Sequence, residues 1–151
     1  MSEKRDFLII SLLGDQNVGK SCICGRFFGF DFMDNTVNTM GKDSMQTKKT
    51  MDDGNEIQIV VWDTAGQERF QSVSLSTINN SHGIIVTFEV TSRKSFNNVQ
   101  KWLNQISDRT NKVAIVLFGN KCDMKDREVK KEEAEKFAEE HNLPYLKLVQ
   151  N

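Results

Sequence analysis

One proline, Pro144, stands in 151 residues, and the chain has no linker, internal repeat or low-complexity tract. Cysteine is scarce too. Cys22, Cys24 and Cys122 cannot all pair with one another, and Cys22 and Cys24 lie two apart on an expected helix, where they do not face each other. The three lack zinc spacing and read as reduced thiols of a cytoplasmic protein. No apolar run approaches the length of a membrane span, and Met1-Ser2-Glu3-Lys4-Arg5 has no signal-peptide character. Excess charge of one sign is also missing. The 20 basic and 21 acidic side chains are mixed and leave a net −1, so no nucleic-acid surface is expected. What remains is a single domain, 1–151, long enough to bury a core.

What the chain does have is Gly14-Asp15-Gln16-Asn17-Val18-Gly19-Lys20-Ser21, the G-x-x-x-x-G-K-[ST] pattern of a phosphate-binding loop. The apolar run Phe7-Leu8-Ile9-Ile10-Ser11-Leu12-Leu13 before it has the length of a buried strand, and residues 22–28 after it can continue as a helix ending near Phe28-Gly29. A polyphosphate needs many donors and no side chains in the way. Gly14 and Gly19 let backbone N–H groups close on the oxygens, and the helix N-terminus adds its positive end. Gly14, Asn17, Val18, Gly19, Lys20, Ser21 and Cys22 are the positions expected to line the anion. Lys20 supplies a point charge to the β- and γ-phosphates, and the Ser21 hydroxyl is a hard oxygen ligand for Mg²⁺.

Residues 30–43 show no period and read as a long loop. Met45–Met51 and Glu56–Trp62 flank the turn sequence Asp52-Asp53-Gly54-Asn55 and form a hairpin. Asp63-Thr64-Ala65-Gly66-Gln67-Glu68-Arg69-Phe70 follows directly, with a weak helical stretch towards Asn80. Gly83–Val90 is an apolar strand buried on both sides. Ser92 caps a helix carrying Phe96, Val99, Trp102, Leu103 and Ile106 on one face. Val113–Phe118 is another buried strand, ending in Gly119-Asn120-Lys121-Cys122-Asp123. A helix over 130–141 stacks Ala134, Phe137, Ala138 and His141, and residues 143–149 form a last short strand. His82 reads as a packed histidine without chemistry.

Strands alternating with helices predict an α/β fold with a mostly parallel sheet and helices on both faces. Ligands of such sheets bind at the carboxyl ends of the strands. The phosphate loop, Asp63–Gly66 and Asn120–Asp123 each follow a predicted strand immediately, so three polar motifs meet on one edge.

These three motifs resemble the nucleotide-binding motifs of Ras-like small GTPases. Trp62–Phe70, Ser95-Phe96-Asn97-Asn98-Val99 and Gly119–Asp123 are most similar to the Rab branch, regulators of vesicle and membrane traffic. The resemblance covers nearly the whole chain. It implies a P-loop GTPase three-layer sandwich, with a mostly parallel six-stranded sheet and one antiparallel hairpin strand. It also implies a guanine-nucleotide switch that binds GTP and GDP with Mg²⁺ and hydrolyses GTP to GDP. Asp123 then accepts hydrogen bonds from guanine N1–H and the exocyclic amine, Asn120 ties loops together, and the Lys121 stem and Phe32 pack on the ring. Asp63 holds Mg²⁺ through water, beside Ser21 and Thr39. Gly66 approaches the γ-phosphate, and Gln67 orients the attacking water, so Gln67 and Lys20 carry the catalysis. Outside the resemblance, Phe32 reads as a packed loop aromatic and Thr39 as a surface threonine. Thr39 and Gly66 would pin loops 31–43 and 64–76 in the triphosphate state and release them after hydrolysis. The partners implied are a guanine nucleotide exchange factor, a GTPase-activating protein that supplies an arginine, and effectors. Membrane contact, on the cytosolic face, would come only through a lipidated tail not present in this chain.

The sequence departs from that pattern in places. Gln16 and Asn17 stand where relatives usually carry glycine, serine or alanine, and Gln16 is long enough to crowd Gln67 or an incoming arginine. Ser44 replaces a phenylalanine, Thr77-Ile78 replaces paired tyrosines, and one extra residue lies between Gly41 and Trp62, all on the effector-reading surface. Val149-Gln150-Asn151 replaces Ser-Ala-Lys, so the N–H of Gln150 is the candidate contact to guanine O6. The final helix of the fold is expected to be absent, as in a fragment or in one module of a longer protein. Two other readings stay open: a Rab-like scaffold module that binds nucleotide and hydrolyses little, and a P-loop kinase or ATPase using another base, against which Asn120-Lys121-Cys122-Asp123 argues.

Overall fold

The apolar run ahead of the glycine loop forms β1, Phe7–Gly14, at the centre of a six-stranded sheet. The computed structural model describes residues 7–15, 18–20, 23, 44–63, 78–120 and 125–147, with the backbone alone at 44, 45, 47, 63 and 147. The strands that follow are β2, Ser44–Thr50, β3, Glu56–Asp63, β4, Gly83–Glu89, β5, Ala114–Asn120, and β6, Tyr145–Lys147. Their spatial order is β2-β3-β1-β4-β5-β6. Every pairing is parallel except β2 with β3. The expected α/β architecture, with one antiparallel strand at the edge, is therefore the one observed.

That hairpin turns where its sequence says it should. Gly54 takes a positive φ of 85°, and its N–H donates to the Met51 carbonyl at 2.9 Å. The Asn55 N–H donates to Asp53 Oδ1, also at 2.9 Å, an Asx contact that closes the turn.

Successive strand residues point to opposite faces, so the neighbours Leu12 and Leu13 enter two different cores. Leu13 joins Ile84, Val86 and Phe88 of β4. These pack against α1, Arg93–Asn97, α2, Val99–Ser107, and α3, Lys131–Glu140. Leu12 joins Ile59 and Val61 of β3, with Ile10, Ile23 and Ile85 against them. Phe88 centres the larger cluster. Its ring meets Phe96 edge-on at 5.0 Å and lies over Tyr145 at 6.3 Å.

Three elements differ from the sequence reading. The helix capped by Ser92 is interrupted at Asn98, which separates α1 from α2. The backbone there stays in the right-handed region (φ −79°, ψ −9°), and Asn98 bonds Lys94 behind it and Trp102 ahead of it. The break is one residue wide, and the Asn98 side chain turns to another partner described below. At the end of α3, Asn142 adopts a left-handed φ of 55°, and the Leu143 N–H donates back to the Ala138 carbonyl at 2.8 Å. This helix-ending geometry takes Leu143 out of the last strand, which starts only at Tyr145. His141 accordingly sits at the cap instead of the core. Its ring stacks on Phe137 at 4.1 Å and bonds the Phe137 carbonyl and Gln100 Oε1, both at 2.8 Å.

His82 is packed as read. It accepts the Ile9 N–H on Nδ1 at 2.9 Å and lies edge-on to Phe7. Of the helix expected after the glycine loop, Lys20 and Ile23 are described and helical, as are Ile78 and Asn79 of the stretch expected before β4. The loop 30–43 lies outside the described residues. Among the described residues, no helix is long and apolar enough to cross a membrane.

Candidate functional site

The strand register sets the site. Gly14 of β1 is level with Thr87 of β4, Glu89 of β4 is level with Asn120 of β5, and Asp63 of β3 is level with Leu12 of β1. The carboxyl ends of β1, β3, β4 and β5 therefore share one edge, and the glycine loop leaves from its middle.

Both glycines of the loop are required by contact as well as by backbone angle. Gly14 has φ +153°, and a Cβ there would stand 2.3 Å from the Thr87 carbonyl oxygen. Gly19 has φ +94°, and a Cβ there would stand 2.0 Å from Asn120 Nδ2. Only a residue without a side chain allows the loop to lie this close to its neighbours.

Asn120 uses that proximity. Its side-chain amide donates to the Val18 carbonyl at 2.8 Å, in a buried contact between the loop and the end of β5. Its own carbonyl accepts the Val90 N–H at 3.0 Å, which fixes the strand end to the segment after β4. Val18 is fully buried. Lys20 is only 2% exposed, and Nζ donates to the carbonyls of Gly14 at 2.6 Å and Asp15 at 2.7 Å. A buried ammonium must be ringed by oxygens. Here two of them come from the loop itself, which curls around the charge.

Asp15 is a residue that the motif reading passed over. Its carboxylate accepts from Asn98 Nδ2 at 2.5 Å and from Trp102 Nε1 at 3.0 Å. A sequence signal existed. A tryptophan within an apolar helical stripe still carries an indole N–H that needs an acceptor when buried.

Of the residues singled out from the sequence, the structure brings together Gly14, Val18, Gly19, Lys20 and Asn120. Asp63 is placed by its backbone at the same edge. Asn17, Ser21, Cys22, Phe32, Thr39, Gly66, Gln67, Lys121, Asp123 and Gln150 lie outside the described residues. Chemically, the described part is an anion cradle: two loop glycines at close backbone approaches, a buried ammonium and a helix start.

Comparison with known proteins agrees with this arrangement. A family model described as Ras family matches residues 9–149. The chain is 42% identical over 152 residues to Ras-related protein RABD2c of Arabidopsis thaliana, spanning 97% of this chain and 73% of that protein. It is 41% identical over 150 residues to GTP-binding protein YPT1 of Saccharomyces cerevisiae, spanning 97% and 72%.

Proposed function

The chain belongs to the Ras family of small GTPases, and on that premise we propose that it is a Rab-like switch that hydrolyses GTP to GDP and acts in vesicle and membrane traffic. The observation that carries this reading is the bond from Asn120 to Val18. It joins a phosphate loop to the strand end that continues into Lys121-Cys122-Asp123, a sequence that suits guanine. In this reading residues 1–151 belong to one guanine-nucleotide-binding domain.

In the proposed mechanism, loop N–H groups and Lys20 hold the β- and γ-phosphates as charge develops during in-line displacement. Asp123 takes the two donors of the guanine edge, which adenine does not offer as a pair. Lys121 and Phe32 cover the ring, and the Gln150 N–H faces O6. Ser21, Thr39 and Asp63 form a set of hard oxygen donors that suits Mg²⁺. That ion would neutralise phosphate charge when bound. Gln67 orients the water, with Gly66 and Thr39 as the contacts that sense the γ-phosphate. Turnover is slow alone, and an arginine from a GTPase-activating partner raises it by roughly 10³–10⁵. An exchange factor and effectors complete the cycle.

The test is single-turnover hydrolysis. The parent converts GTP to GDP and leaves ATP untouched, while Gln67→Leu keeps GTP bound and slows its conversion. Equal rates for parent and variant would contradict the assignment of Gln67.

A further inference from the structure

Asp15 is held at both ends. Its backbone carbonyl accepts from the buried Lys20 ammonium, and its carboxylate accepts from Asn98 and Trp102. The two donors stand one helical turn apart, Asn98 at the break between α1 and α2 and Trp102 on α2. A partly buried carboxylate is stabilised by such donors, and bonds to a charged acceptor are among the stronger hydrogen bonds in proteins. The same residue therefore fixes the ammonium of the phosphate loop on one side and a helix on the other.

We propose that Asn98 and Trp102 are positioning residues for nucleotide retention: through Asp15 they hold the phosphate loop and Lys20 in the geometry that keeps guanine nucleotide bound. This rests on the guanine-nucleotide reading above. Both side chains bond the Asp15 carboxylate. Each acts through the Asp15 carboxylate, and losing either frees the loop to move off the phosphates. The helix break supports the assignment. Asn98 leaves its side chain outside any capping bond of α2 and spends it on Asp15.

The experiment is GDP release from the full chain, measured by displacement of a fluorescent GDP. Asn98→Asp sets one carboxylate against another and speeds release by about tenfold or more, the equivalent of one charge-assisted hydrogen bond. Trp102→Phe keeps an aromatic ring in the core but removes the N–H together with part of the indole, and it speeds release several-fold. The exchanged pair, Asp15→Asn with Asn98→Asp, restores an amide facing a carboxylate and an oxygen facing the indole. Its release returns to within about threefold of the parent rate. Thermal unfolding of the same variants is the control, because a restored pair restores stability too: the retention role speeds release at temperatures where every variant stays folded. If Asn98→Asp and Trp102→Phe both release GDP at the parent rate, or if the exchange releases it as fast as Asn98→Asp alone, the proposal is overturned while the nucleotide reading stands. If the parent retains no guanine nucleotide, both fall together.

Discussion

The side-chain amide of Asn120 donates to the backbone carbonyl of Val18 at 2.8 Å, from the end of β5 into the middle of the glycine loop. An acceptor in a buried position that loses its donor costs roughly 1–3 kcal/mol. Asn120→Ala is therefore expected to weaken GDP binding by about tenfold or more. Asn120→Asp is expected to be worse than alanine, because it turns a carboxylate on the Val18 carbonyl. Equilibrium GDP titration of the two variants checks the order. An aspartate variant that binds as well as the parent would contradict the tie.

The two loop glycines are predicted to fail differently. Alanine at position 14 collides with the backbone of the neighbouring strand, at the Thr87 oxygen, and that strand has nowhere to go. Gly14→Ala should cost fold stability, by about 1–3 kcal/mol for the strained backbone alone. Alanine at position 19 collides with the Asn120 amide, a side chain that can turn aside at the cost of its bond to Val18. Gly19→Ala should lose more nucleotide affinity than stability. Thermal unfolding and GDP titration of both variants separate the two outcomes.

The larger core has a measurable centre. Phe88 is fully buried between Phe96 and Tyr145. Phe88→Ala should destabilise the chain by about 3–5 kcal/mol. Leu146 on the edge strand is 52% exposed, and Leu146→Ala should stay within about 0.5 kcal/mol of the parent. Denaturant unfolding of both shows whether the burial pattern is right.

Gln16 lies outside the described residues, and its length at that loop position is the basis of a kinetic prediction. Gln16→Ser should speed single-turnover GTP hydrolysis while leaving GDP affinity unchanged, because it clears space for Gln67 or a partner's arginine. A serine variant no faster than the parent would remove the crowding argument.

Much of the fold was legible because burial on both faces writes itself into sequence. β1, β4 and β5 are nearly unbroken apolar runs, and β1 and β5 run straight into polar motifs. The hairpin was legible from Asp52-Asp53-Gly54-Asn55, whose residues can take the turn that Gly54 in fact takes. The break at Asn98 was not, because the apolar stripe continues through it in phase from Phe96 to Trp102. Leu143 reads as strand because an apolar residue before a proline favours extended backbone. What decided otherwise was the left-handed Asn142, a local backbone choice with no periodic signal. At the site, the glycines, Lys20 and Asn120 were legible from motif spacing. For Asp15 the sequence shows only that the Trp102 indole needs an acceptor and not which one, because the partners lie 83 and 87 positions away and only the folded sheet brings them close.

The central claim is that this pocket holds a guanine nucleotide through Lys20 and its loop. The most direct measurement is chromatography of nucleotide released from the purified, denatured protein, run in parallel on Lys20→Ala. GDP or GTP near one equivalent from the parent, with little from Lys20→Ala, is the result predicted. An adenine nucleotide in its place, or no nucleotide from the parent and no micromolar affinity for added GDP, would contradict the account.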